Sequence, residues 1–106
     1  MATPISEEID TGVTSVDYFP DTSGVSAVWD FRISNGANSR AGELRGDWDG
    51  VADSNPSQAI RRVKDIGTIP STVSIVLDKN VNTLRVRVTV PTDDWAFKAL
   101  RHMVQP

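Results

Sequence analysis

Apolar and polar residues alternate with a period of two along most of this chain. Val25, Ala27, Trp29, Phe31 and Ile33 are interleaved with Ser26, Asp30, Arg32 and Ser34, the signature of a half-buried strand over residues 24–34. Asn35-Gly36 follows directly, and this dipeptide favours a two-residue hairpin loop of type I′ because both central positions then need φ > 0. The next run, residues 39–48, places Gly42, Leu44, Gly46 and Trp48 on one face and Glu43, Arg45 and Asp47 on the other. Residues 24–48 are therefore expected to form a β-hairpin.

The same reading extends along the chain. Residues 12–19 alternate Val with Ser and Thr before a turn at Phe19-Pro20-Asp21. A loop rich in Asp, Gly, Asn and Pro occupies 49–57. The charged run 58–66 reads either as a helical turn capped by Ser57 or as an edge strand, and is assigned to the strand because charge at an edge discourages unwanted pairing. Val73, Ile75 and Leu77 mark a strand over 72–77, followed by a tight loop at 78–82. Leu84, Val86, Val88 and Val90 alternate with Thr83, Arg85, Arg87 and Thr89 in the cleanest strand of all. Residues 95–104 are assigned to a last strand by Trp95, Phe97 and Ala99, with a helix capped by Asp94 as the competing reading. About seven short strands with turn signals between them predict an all-β chain, an antiparallel sandwich of jelly-roll or immunoglobulin-like type.

Length changes this picture little: 106 residues are enough for one domain with its own core. The absence of cysteine removes disulfides, thiolate metal sites and thiol nucleophiles from consideration. Charge changes it more. Residues 1–31 hold six acids (Glu7, Glu8, Asp10, Asp17, Asp21, Asp30) and no base, a charge of −6, whereas residues 32–106 hold 11 bases against 8 acids, +3. The net −3 conceals that asymmetry. Residues 1–12 are accordingly read as an acidic N-terminal arm ahead of a domain spanning 13–106, free to lie on a basic surface of its own chain or of a neighbour. Most of the bases are Arg, a residue favoured at protein interfaces. The acidic balance speaks against a nucleic-acid binder, and no apolar run is long enough for a membrane helix or a secretory signal. Neither a nucleic-acid nor a membrane partner is expected, and assembly in a cytoplasm is.

Candidate chemistry is sparse. His102 is the one histidine, no serine stands in a Gly-x-Ser-x-Gly elbow, and no carboxylate pair is singled out for acid–base work. Asp47-Trp48-Asp49-Gly50-Val51-Ala52-Asp53-Ser54-Asn55 departs from a calcium loop, since Gly falls at position 4 and Val51 at position 5, leaving at most a looser cation site on Asp47, Asp49, Asp53 and Asn55. No cofactor, metal or catalytic residue is assigned. The three Trp invite a sugar-stacking surface, but each sits on the apolar face of its strand or run, where core packing is the ordinary role.

The hairpin carries a further signal. Trp29-Asp30-Phe31-Arg32-Ile33 through Asn35-Gly36, then Arg40-Ala41-Gly42-Glu43-Leu44 and the acidic turn to Asp49-Gly50, resembles a segment that recurs in small domains of tailed-bacteriophage structural proteins. Asp65-Ile66-Gly67, Val73 to Leu77, the turn Asp78 to Asn82, Leu84-Arg85-Val86, Asp94-Trp95 and Lys98 are similar to the remainder of such domains, so that the likeness covers about residues 16–104. It implies a non-enzymatic virion component (capsid decoration, head–tail or neck, tail or fibre) that works by protein–protein assembly, with copies of itself and other virion proteins as partners. The contact regions expected are Glu7, Glu8 and Asp10 in the acidic segment and Arg61, Arg62 and Lys64 in the basic run. The alternative reading is a carbohydrate-binding β-sandwich module, which requires an exposed Trp.

Overall fold

A computed structural model of the chain describes residues 2–105. Its strands are β1 (Ala2–Ile9), β2 (Gly12–Pro20), β3 (Ser26–Asn35), β4 (Asn38–Asp47), β5 (Ser57–Ile66), β6 (Ser74–Asn80), β7 (Thr83–Val90) and β8 (Trp95–Val104). They form two antiparallel sheets, a five-stranded one in the order β1-β8-β3-β4-β5 and a three-stranded one in the order β2-β7-β6. The expected all-β sandwich is thus present, with eight strands among the described residues where about seven were expected.

Alternation places the core. Trp29, Phe31 and Ile33 on β3, Leu44 on β4 and Trp95 and Phe97 on β8 face Leu77 of β6 and Leu84, Val86, Val88 and Val90 of β7, all at most 4% exposed. Each such side chain contributes roughly 1.5–3 kcal/mol by leaving water. Gly46 on β4 belongs to the same interior. A Cβ there would overlap Leu77 Cδ2, so the missing side chain is what lets the two sheets close at that point.

Three local features differ from the sequence reading. Residues 2–9, expected within an acidic arm, are the edge strand β1, paired antiparallel with β8 from Ala2↔His102 to Ile9↔Trp95. Pro4 fits there because an edge strand has one side on which no N–H is needed. The β3–β4 loop is not Asn35-Gly36 but Gly36-Ala37, since Asn35 pairs with Asn38. Only Gly36 (φ 59) has positive φ, the requirement of a type II′ turn and not of type I′. Residues 95–104 are strand throughout, flanked on both sides by β1 and β3, so the helical competitor loses to two ladders of backbone hydrogen bonds.

In β2 an extra residue, Val16, interrupts the register with β7 between Ser15 and Asp17. Such a bulge re-aims side chains. Val16 and Phe19 are both buried, and Asp17 accepts hydrogen bonds from Arg101 Nη1 at 2.8 Å and from the Trp29 indole Nε1 at 2.9 Å. The Arg101 guanidinium also lies 4.9 Å above the Phe19 ring.

Candidate functional site

The three-stranded sheet is too narrow to cover the five-stranded one, and β5 is the strand left over. It pairs with β4 alone, and all ten of its residues are exposed. Ile60 and Val63 are each 45% exposed and Ile66 66%, so the opposite sheet covers the apolar residues of this strand only in part. Its sequence role as an edge strand is as expected.

What anchors β5 is a set of polar contacts. The Gln58 side chain reaches across to β6, donating from Nε2 to Leu77 O at 2.6 Å and accepting from Leu77 N–H at 2.8 Å. One amide therefore substitutes for a neighbouring strand at the open side of the sandwich. Arg40 and Asp65 form a two-pronged pair at 2.7 and 2.9 Å, which holds Asp65 below the usual carboxylate range through the Arg40 hydrogen bonds. Between them, Phe31, Ile33, Ile60, Val63, Val73 and Ile75 line an apolar cleft of about 230 Å³.

The predicted contact residues fall on this edge and on the opposite one. Arg61 stands opposite Glu43 and Lys64 opposite Ala41. The register slips between these pairs, so that Arg62 and Val63 together oppose Gly42. Arg62 sits at that bulge with φ 57, a left-handed conformation that costs a non-glycine residue of order 1 kcal/mol or more. On β1, Glu7 stands opposite Phe97 and Glu8 opposite Ala96, while Asp10 lies in the β1–β2 turn. The two groups are not brought together. Three strands separate β1 from β5, about 19 Å at the usual inter-strand spacing. The acidic segment therefore cannot rest on the basic run of its own chain.

The acidic residues instead meet two that were not among the expected contact residues. Asp10 accepts a hydrogen bond from Asp94 N–H at 3.1 Å, and Asp93 accepts from Thr11 N–H at 3.0 Å and from the Thr11 hydroxyl at 2.8 Å. Those donors hold Asp93 below the ordinary carboxylate range. The carboxylates of Glu8, Asp10 and Asp94 all converge within 4.8 Å of one another, and all three are exposed. No local signal joins residues 8–11 to 93–94; only the β1–β8 pairing does.

The loop after β4 has a different role from the cation site weighed above. Lys79, whose side chain is 0% exposed, donates to Asp49 O at 2.6 Å and to Val51 O at 3.0 Å, and lies 3.4 Å from Asp21 Oδ2. Asp53 accepts from Val81 N–H at 2.7 Å. The loop's oxygens thus surround an ammonium group, which docks the loop onto the β6–β7 turn. Asp49 is held below its ordinary range chiefly by the Val51 N–H. His102 lies 3.6 Å from Asp30, with both side chains at least half exposed. Trp29 and Trp95 are buried, and Trp48 packs against the core with its indole N–H directed to Asp21 O and Gly24 O. No Trp offers the exposed stacking face that the carbohydrate reading requires.

No family model matches the chain, and no curated protein matches it. Among solved structures it is similar to the tailspike protein of Acinetobacter baumannii phage AM24, with a TM-score of 0.49 and 8% identity over 94% of this chain and 25% of that one. It is also similar to the tailspike protein of Acinetobacter phage vB_ApiP_P1, with a TM-score of 0.45 and 16% identity over 96% of this chain and 21% of that one. The chain spans about a quarter of the length of these structures.

Proposed function

We propose that this chain is a non-enzymatic structural module of a tailed-bacteriophage particle, joining neighbouring virion proteins through the open edges of its sandwich. The observation that carries the reading is β5: a ten-residue strand, exposed along its whole length, with Ile66 66% exposed and Ile60 and Val63 only partly covered. An exposed apolar edge of this kind is a hazard in a monomer and an asset in an assembly, where a neighbour covers it. The charges of Arg61, Arg62 and Lys64 and the bulge at Arg62 restrict indiscriminate strand addition and leave a surface that selects its partner. The resemblance of residues 16–104 to small domains of phage structural proteins supplies the context. Capsid decoration, a neck or head–tail position, and a tail or fibre position are all served by the same mode of action, and the place of work is the virion.

The test is to purify the particles from a lysate of the producing cells and identify their proteins by mass spectrometry, with antibody labelling in the electron microscope to fix the position. The chain is expected in stoichiometric amount in the particles. Its absence from particles made by cells that express it would refute the reading. Loss of particle incorporation on replacing Ile60 and Val63 with Ser, with the fold retained by circular dichroism, would tie the role to β5.

A further inference from the structure

The outer face of the five-stranded sheet carries charge in stripes that run across the strands. One row reads Ser6, Lys98, Arg32, Ala41 and Lys64, each residue directly opposite the next. Lys98 and Arg32 are therefore like charges at the closest cross-strand separation, about 5 Å between Cβ atoms, an arrangement that destabilises an isolated sheet. The bulge brings a third cation: Arg62, in its left-handed conformation opposite Gly42, lines the same shallow concavity of about 500 Å³ as Arg32 and Lys98. Among the described residues, none of these three cations makes an ion pair. Two acids line the concavity as well, Asp30 and Glu43, which stand opposite each other in the next row, so three cations against two acids leave it a net charge of +1. Asp30 is also 3.6 Å from His102, and Glu43 also stands opposite Arg61.

The complement lies on the same molecule. Glu8, Asp10 and Asp94 form an equally self-repelling group of three carboxylates, held in place by the reciprocal hydrogen bonds between the two turns. Glu8 borders the same outer face, opposite Ala96 and diagonal to Lys98, yet forms no ion pair with it. Each group is relieved by the opposite one, and within one chain no ion pair joins them among the described residues. We infer that the concavity of Arg32, Arg62 and Lys98 docks the acidic corner of Glu8, Asp10 and Asp94 from a second copy of this chain. This rests on the assembly reading above and names one of its partners. The strained Arg62 and the opposed Lys98–Arg32 pair are then features that the isolated chain tolerates and the pair of chains uses. Because two different patches meet, the contact is specific in register, and its strength falls with added salt.

Sedimentation equilibrium on the intact chain tests this across a concentration series up to about 1 mM at low and at high salt. Self-association is expected at low salt and should weaken as salt is raised. Glu8→Lys alone and Lys98→Glu alone each set like charges face to face and should weaken association about tenfold or more. Mixing the two variants should restore it, because Lys at position 8 of one chain then faces Glu at position 98 of the other. Arg32→Glu provides a second disruption of the concavity, and circular dichroism checks that every variant keeps its fold. A wild-type chain that stays monomeric throughout, single reversals without effect, or a mixture that does not recover would each overturn the inference. A monomer still found in purified particles would overturn this contact and leave the structural role standing.

Discussion

Replacing Lys79 by Met is the sharpest test of how the loop after β4 is held. The Lys79 side chain is 0% exposed and its Asp21 partner 3% exposed, with Nζ and Oδ2 3.4 Å apart. At an effective dielectric constant near 20, that separation corresponds to about 5 kcal/mol of attraction, much of it offset by the cost of taking both charges out of water. The substitution removes one partner only. Asp21 keeps its bond from Asn82 Nδ2 at 2.8 Å but becomes an uncompensated buried carboxylate, and Asp49 O and Val51 O lose their donor. Breaking a buried pair in this way costs about 3–5 kcal/mol. For a domain of this size each kcal/mol lowers the melting midpoint by about 4 °C or more, so a fall of at least about 12 °C is expected. Urea unfolding followed by circular dichroism reads the free energy, and an unchanged m-value shows that the folded state is otherwise intact. Trp48 fluorescence reports the site itself, since its indole is bonded to Asp21 O. Pairing Lys79→Met with Asp21→Asn should restore much of the loss, because no isolated charge is then left inside. A cost below about 1 kcal/mol for Lys79→Met, or strict additivity in the double variant, would refute the reasoning.

Gln58→Ala strands the N–H and C=O of Leu77, a residue 1% exposed, and should cost about 1–3 kcal/mol, read by the same unfolding assay and by faster amide exchange at Leu77. Val81 has φ 56 in the β6–β7 turn, so Val81→Gly should stabilise by about 1 kcal/mol, visible as a rise in melting midpoint. Gly46→Ala forces a Cβ onto Leu77 and should destabilise by about 1–3 kcal/mol, with shifted methyl resonances for Leu77. Asp49, Asp65 and Asp93 all titrate below their ordinary range, so the stability they add is present above the unfolded carboxylate value of about 3.9 and is lost as pH falls through their lower folded values. The melting midpoint should therefore hold from pH 7 to pH 5 and decline below about pH 4, with a shallower decline in Asp93→Asn.

Most of the strands are written in the chain itself. Residues 83–90 and 95–104 read as strands because alternate side chains must face alternate sides of a pleated ribbon, and both sit inside a sheet where that constraint is strict. The edge character of β5 is legible from Arg61, Arg62 and Lys64, since such charge discourages pairing with a further strand. The bulge that turns all three to the outer face and leaves Ile60 and Val63 on the inner one is not. The strand β1 is not legible, because an edge strand tolerates polar residues on both faces and Pro4 besides, and its partner β8 lies some ninety residues away. The type II′ turn at Gly36-Ala37 differs from the expected turn by one residue, a distinction that inter-strand register decides and dipeptide preference does not.

The candidate surfaces divide in the same way. The presence of an acidic beginning and a basic remainder is a property of the sequence alone, as is the shortage of groups for nucleophilic or metal chemistry. Which charges share a surface was decided by tertiary structure. Glu8 meets Asp94 because β1 pairs with β8, Lys98 meets Arg32 because β8 pairs with β3, and Arg62 turns toward both because a bulge shifts its register. Alternation is a local rule, carried by each residue's own backbone, and it can be read from neighbours two positions apart. Charge pairing across a sheet depends on contacts between residues tens of positions apart, and those are set only when the core closes.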